Sequence, residues 1–201
     1  MWKDFTERPV TMDAVSLAAA AAAIRRGGIV AYPTEGVFGL GCDPRNEAAV
    51  KRILQLKGRD VEKGLILLAA NEAQLAPFIA PLAPDVARRI LATWPGSVTW
   101  IVPAAEDCPA WLTGGRPTLA VRVSAHPPAR ALSRAADTAL VSTSANASGA
   151  APARSAEDVR ALFGNELDAL LEGEIGNLRG PTEIRDAATG RVLRPAPQAG
   201  R

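Results

Sequence analysis

Histidine is almost missing from this chain. Its single copy, His126, stands in a His-Pro-Pro turn, so a histidine-built zinc site and a serine–histidine triad both lack their parts. Cysteine is nearly as scarce. Cys42 and Cys108 form no spaced ligand pair, and they read as free thiols in a reducing compartment. Long apolar runs are lacking too. The alanine run from Ala18 to Ala23 is short and flanked by charge, and the stretch from Met1 to Arg8 carries Lys3, Asp4, Glu7 and Arg8 around no apolar core. Neither suits a signal peptide or a membrane span. These absences predict a cytoplasmic protein with no membrane partner. An excess of one charge is absent as well: 23 Lys+Arg stand against 21 Asp+Glu, a net charge of +2, which gives no case for wholesale nucleic-acid binding.

The remaining composition is that of a folded enzyme-sized domain. The chain has 201 residues, 48% hydrophobic and 22% charged, the balance of a globular protein. A chain of this length buries about 70% of its unfolded surface and needs no disulfide or metal to fold. Glycine and proline are spread evenly, without a linker or a repeat, so we expect one domain over residues 10–195 with short tails at 1–9 and 196–201.

Hydrophobic patterning predicts alternating helices and strands. Residues 13–26 read as an alanine-rich helix stopped by Gly27-Gly28, and residues 28–32 as a short apolar strand closed by Pro33. Residues 47–57 read as a helix capped by Asn46, with Val50, Ile53, Leu54 and Lys57 on one stripe. Further strands are expected at 65–69, 97–102, 118–123 and 139–143, and helices at 84–94, 128–136 and 155–163. Two short strands, 182–186 and 191–194, flank the turn Ala188-Thr189-Gly190. Continuous apolar strands alternating with helices favour an α/β sheet covered on both faces.

Three loops that follow strands concentrate the chemistry, and ligands gather at strand ends in such sheets. The first, 33–43, holds Thr34 and the glycines Gly36, Gly39 and Gly41. It suits close approach to a ligand, or simply connects two elements; it is neither a P-loop nor a Rossmann fingerprint. The second, 57–64, places Lys57, Arg59 and Lys63 at a helix C-terminus. There the cations either cap the helix dipole or clamp phosphate. The third, 142–149, packs Ser142, Thr143, Ser144, Asn146 and Ser148 behind a buried strand, as an anion nest or an ordinary polar loop. Arg122 adds a charge inside the apolar run 118–123, which requires a carboxylate from the protein or a ligand. Together these are the parts of a polyphosphate site, where positioning and charge neutralisation outweigh a protein nucleophile.

The motifs in order, Ile29-Val-Ala-Tyr-Pro-Thr-Glu35, Gly39-Leu-Gly-Cys-Asp43, Lys57-Gly-Arg59, Ser144-Ala-Asn-Ala-Ser-Gly149 and Pro181-Thr-Glu-Ile-Arg-Asp186, resemble the YrdC-like family in its short bacterial form. The likeness runs from about residue 13 to 194. It implies a single-domain twisted open sheet with a concave basic surface. The implied reaction joins L-threonine, bicarbonate or CO2 and ATP into threonylcarbamoyl-AMP and diphosphate, with Mg²⁺ brought by the nucleotide and no protein-held metal. A separate transferase complex would then place the threonylcarbamoyl group on the adenosine beside the anticodon of tRNAs reading codons that begin with A. By the same resemblance Thr34, Arg122, Ser142 and Thr182 would hold threonine, and Lys57 and Arg59 would be the catalytic cations. Lys57, Arg59, Lys63, Ser144, Asn146 and Arg194 would hold ATP. Longer relatives have a threonine at the position of Gly36 and a histidine near Leu68. Two rival readings remain: a non-catalytic protein binding double-stranded RNA or the ribosome through the same cations, and a paralogue acting on another small molecule.

Overall fold

The computed structural model describes residues 15–196. The start of the expected domain at residue 10, the tail 1–9 and residues 197–201 lie outside the described residues, as do Asp13 and Arg201. The chain forms α1 (Leu17–Arg25), β1 (Val30–Pro33), β2 (Phe38–Gly41), α2 (Glu47–Lys57), β3 (Ile66–Ala69), α3 (Pro84–Leu91), β4 (Val98–Pro103), α4 (Ala110–Thr113), β5 (Thr118–Val123), α5 (Pro127–Ala136), β6 (Leu140–Ser144), α6 (Ala156–Phe163), β7 (Ala169–Leu170), β8 (Glu183–Asp186) and β9 (Val192–Arg194). The expected elements are all present, with ends displaced by a few residues. Three short ones, β2, α4 and β7, were not expected.

Local chemistry sets the boundaries. Ser16 caps α1 through a hydrogen bond from the Ala19 amide. Asn46 caps α2 in the same way from Ala49, and Gly58 ends that helix in the left-handed conformation (φ 55°), the ordinary glycine stop. Ser155 and Asp158 close a reciprocal capping box on α6.

All the strands join one mixed sheet in the order β7-β1-β2-β6-β3-β5-β4-β8-β9. The pairs β1/β7, β3/β5 and β4/β8 are parallel, and the others antiparallel. Alternation along the strands loads both faces, as expected. Val30, Tyr32, Leu68 and Leu140 pack with Ala20, Ile24 and Leu132 of α1 and α5. Their sequence neighbours Ala31, Leu67, Ala69 and Val141 turn to the other side, against Val50, Ile53 and Leu54 of α2 and against Trp100. Each fully buried aliphatic side chain contributes about 1.5–3 kcal/mol, so this two-sided burial fixes the strand register. Among the described residues, no helix is long and apolar enough to cross a membrane.

One expected loop is largely strand. Only residues 34–37 turn; Gly39 and Gly41 lie within β2. A Cβ on Gly41 would come within 2.6 Å of the Val141 carbonyl oxygen and 2.8 Å of the Tyr32 ring. This glycine serves sheet packing, not ligand approach.

Candidate active site

A cavity of about 140 Å³ opens between the ends of β1, β6 and β5 on one side and the segment entering β8 on the other; its walls include Thr34, Arg59, Arg122, Ser142, Ser144, Thr182 and Arg194. Seven sequence-selected residues therefore meet in one place, although they come from six separate stretches of chain.

The floor is a buried polar network. Thr34 follows the last residue of β1, and both its amide and its hydroxyl donate to the Val37 carbonyl (3.0 and 2.7 Å). This closes the turn to β2 and leaves the hydroxyl oxygen free to accept. Arg122 projects from β5 and is 4% exposed. Its Nη1 donates to Thr182 Oγ1 at 2.7 Å, and Thr182 Oγ1 lies 3.2 Å from Thr99 Oγ1. Its Nη2 lies 3.2 Å from Glu35 Oε2. The carboxylate that a charge in this strand requires is thus Glu35, from the first motif. Glu35 stands in the first motif with no role expected of it; the demand of Arg122 for a counter-charge is the sequence signal that leads to it. Ser124, also unforeseen, donates to Glu35 Oε1 at 2.6 Å.

The rim is cationic. Arg59 donates from Nη2 to the Gly64 carbonyl at 2.9 Å, while its buried Nε lacks a hydrogen-bond partner. Burial, followed by the nearby Arg116, pulls its pKa down. Arg194 from the exposed strand β9 donates Nε and Nη2 to the Thr182 carbonyl (3.2 and 2.7 Å); partial burial of its guanidinium, then Arg122 and Arg59, lowers its pKa too. Crowded guanidiniums of this kind favour a polyanion between them.

Three expected ligand residues stand off the cavity wall. The Lys57 ammonium is buried and donates to the Ser144 carbonyl, to the Asn146 carbonyl (2.7 Å) and to Asn146 Oδ1 (3.1 Å). Asn146 is tied further by the Ser144 hydroxyl (2.6 Å) and by its own donation to the Ala150 carbonyl (2.6 Å). Lys63 pairs with Asp60 at 3.1 Å on an exposed turn. The third loop is not an open anion nest either. The amides of Ala145, Asn146, Ser148 and Ala150 already donate to the carbonyls of Phe38, Ser144, Lys57 and Ala147. What it brings to the cavity wall is the end of β6, residues Ser142, Thr143 and Ser144.

A segment over residues 174–182 straps the turn between β1 and β2 and reaches the cavity wall at Gly180, Pro181 and Thr182. The amides of Gly176 and Leu178 donate to the carbonyls of Thr34 and Glu35, both at 2.9 Å. His126 Nε2 holds the strap at the Glu174 carbonyl, 3.0 Å away, a structural post for the lone histidine. Leu68, near where longer relatives have a histidine, is fully buried in the core.

A mixed sheet with this hydroxyl-floored, arginine-rimmed cleft defines a class, and the chain belongs to it: the Sua5/YciO/YrdC family, whose model, described as telomere recombination, matches residues 22–196. Relatives in Halorhodospira halophila and Nitrosococcus oceani, both named threonylcarbamoyl-AMP synthase, are 57% and 55% identical over 175 residues. These alignments cover 87% of this chain and 92% and 95% of the relatives. Among solved structures, P. abyssi Sua5 complexed with L-threonine superposes with a TM-score of 0.84 at 31% identity, over 92% of this chain; the chain spans 56% of that longer protein. E. coli YciO superposes with a TM-score of 0.78 at 25% identity, over 90% of this chain and 88% of its own.

Proposed function

We propose that this chain is an L-threonylcarbamoyl-AMP synthase, converting L-threonine, bicarbonate or CO2 and ATP into threonylcarbamoyl-AMP and diphosphate. The observation that carries the reading is the meeting of a buried arginine and hydroxyl floor with an arginine rim in one cleft. The high identity to synthases over nearly their whole length supports it.

The chemistry suits those groups. The threonine amine captures CO2 and releases a proton, giving a carbamate. A carbamate oxygen then attacks the α-phosphorus of ATP, and the bond to the β-phosphate breaks as diphosphate leaves. Arg122 binds the threonine carboxylate, with the hydroxyls of Thr182, Thr34 and Ser142 around the amino acid. Arg59 and Arg194 take the phosphates and stabilise the charge that develops on the leaving group. Ser144 faces the nucleotide. Lys57 and Asn146 contribute through the loop they brace, and Lys63, paired with Asp60, lies off the cleft wall. The cavity is smaller than the roughly 300 Å³ at which drug-sized pockets begin, so the amino acid fills its depth and the nucleotide spreads across the mouth.

Mg²⁺ enters as part of the nucleotide. The cleft wall carries cations and hydroxyls rather than carboxylates, and among the described residues no cluster of three or more His, Cys, Asp or Glu side chains gathers. Such donors do not fit a protein-held Mg²⁺. The catalytic domain spans residues 10–195, works in the cytoplasm and passes its product to a tRNA-modifying transferase complex. The cationic rim also offers a surface for contact with RNA.

The test is diphosphate release by the purified protein with and without L-threonine and bicarbonate. Release that requires both is expected. ATP or RNA binding without release, with steep salt dependence, would move the assignment to a binding protein or to another substrate.

A further inference from the structure

We propose that Glu35 is a positioning residue for amino-acid recognition, setting the orientation in which Arg122 meets the substrate carboxylate. The proposal rests on the synthase reading above.

Glu35 is itself immobilised on three sides. Its backbone belongs to the turn closed by Thr34 and Val37, and its carbonyl accepts the Leu178 amide of the strap at 2.9 Å. Its Oε1 accepts the Ser124 hydroxyl at 2.6 Å, leaving Oε2 aimed at Arg122 Nη2, 3.2 Å away. Both partners are buried, with side chains 5% and 10% exposed. Arg122 reaches the cavity wall, whereas Glu35 is not among the wall residues. The carboxylate therefore stands behind the guanidinium rather than competing for its open side.

The pairing is close but incomplete. Glu35 Oε2 and Arg122 Nε are both buried without a hydrogen-bond partner. Such orphans in a folded protein call for an explanation. Here the guanidinium has one edge fixed, by Thr182 on Nη1 and by the charge of Glu35 beside Nη2, while Nε–H keeps its capacity to donate. A planar fork held this way is preorganised for a second carboxylate, and less rotational freedom is lost on binding.

Two opposite effects of Glu35 are conceivable, and they differ in sign. As a mere negative charge it would repel the incoming carboxylate, and its neutralisation would tighten threonine binding. As a positioning group its neutralisation would let the guanidinium swing and weaken binding. The two orienting contacts and the absence of Glu35 from the wall favour the second.

The experiment compares KM for threonine and for ATP in the wild type, Glu35→Gln, Ser124→Ala, Arg122→Lys and the double variant Glu35→Gln/Arg122→Lys, each checked by its thermal melt. Glu35→Gln keeps the size and the acceptor for Ser124 but removes the charge. The expected result is a rise in threonine KM of roughly 10- to 100-fold, the range for one charged hydrogen bond. ATP KM should stay unchanged, and no further rise should appear on the Arg122→Lys background. Ser124→Ala, which keeps the charge and frees Oε1, should raise threonine KM in the same direction but less. A threonine KM that stays or falls in Glu35→Gln overturns the proposal, and so does an equal rise on both backgrounds. Absence of threonine-dependent diphosphate release in the wild type would instead overturn the synthase reading, and the two failures are thereby told apart.

Discussion

The side-chain nitrogen of Lys57 lies 2.7 Å from the backbone oxygen of Asn146 and 3.1 Å from its side-chain oxygen. A cation at the end of α2 thus braces the loop that follows β6, and the Ser148 amide returns the contact by donating to the Lys57 carbonyl at 2.7 Å. Replacing Lys57 by methionine keeps most of the stem and leaves buried carbonyls without a donor, at about 1–3 kcal/mol for each group left unsatisfied. Lys57→Met should lower stability and loosen Ser144, raising KM for ATP by about tenfold or more. Paired chemical denaturation and ATP titration check this. Lower ATP affinity at full stability would return Lys57 to direct phosphate contact.

The same lysine gives a pH signature. Burial, reinforced by Arg59, brings its pKa from 10.5 down to about 8. Between these values the unfolded chain binds more protons than the folded one, so stability from this group rises with pH. The contribution is fully present above the unfolded value and is lost as pH falls through about 8. The wild type minus Lys57→Met difference in denaturant stability should therefore grow from pH 7.5 to pH 10. A flat difference would mean that the carbonyl cage holds the ammonium charged throughout.

Much of this was legible in the sequence, because helix caps, apolar alternation and hydroxyl or cation clusters are local signals. Asn46 and the stripe ending at Lys57 set α2 to the residue, and Arg122 announced a missing carboxylate. What local signals cannot show is which direction a side chain takes. Lys57 sits in a phosphate-clamp pattern yet turns inward to the loop, and Gly41 sits in a ligand-loop pattern yet meets Tyr32. β2 escaped notice because glycine at alternate positions hides a strand, and Glu35 because its partner lies far along the chain.

Two glycines of that segment should behave differently when changed to alanine. A Cβ on Gly36 would fall 2.4 Å from the Gly180 carbonyl oxygen, pushing away the strap that leads to Thr182 on the cavity wall. Gly36→Ala should raise threonine KM with a moderate loss of stability. Gly41→Ala strikes the sheet and the buried Tyr32, so it should cost about 1–3 kcal/mol of stability, as overpacked cores do, with KM for the folded fraction little changed. Melting curves and steady-state kinetics on both variants separate the two; the reverse pattern would contradict the assigned contacts.

The cysteines should be chemically quiet. Cys42 is fully buried, and burial followed by the charge of Asp43 pushes its thiol pKa far up. Cys108 is half-buried, and burial followed by Asp107 raises it as well. Thiolate is the reactive form, so neutral-pH alkylation of the native protein should be slow at Cys108 and slower still at Cys42. Both should react rapidly in denaturant. Fast native labelling of Cys42, read by mass spectrometry, would show that β2 and its neighbours open readily.

Arg194 joins the two halves of the proposed site. Its fork grips the Thr182 carbonyl, while the hydroxyl of Thr182 accepts from Arg122. One guanidinium therefore supplies rim charge for the nucleotide and also fixes a residue on the amino-acid floor. Arg194→Ala removes both contributions and should raise KM for ATP and for threonine, each by roughly tenfold, the effect of one charge-assisted contact. Arg194→Lys restores charge without the planar fork. It should recover ATP binding in part and threonine binding hardly at all, and this split distinguishes anchoring from simple electrostatics. Screening adds a second check: exposed charges weaken with salt, so the ATP defect of Arg194→Ala should shrink at high ionic strength while the threonine defect persists. If both defects shrink together, Arg194 acts by charge alone and the Thr182 anchor is incidental.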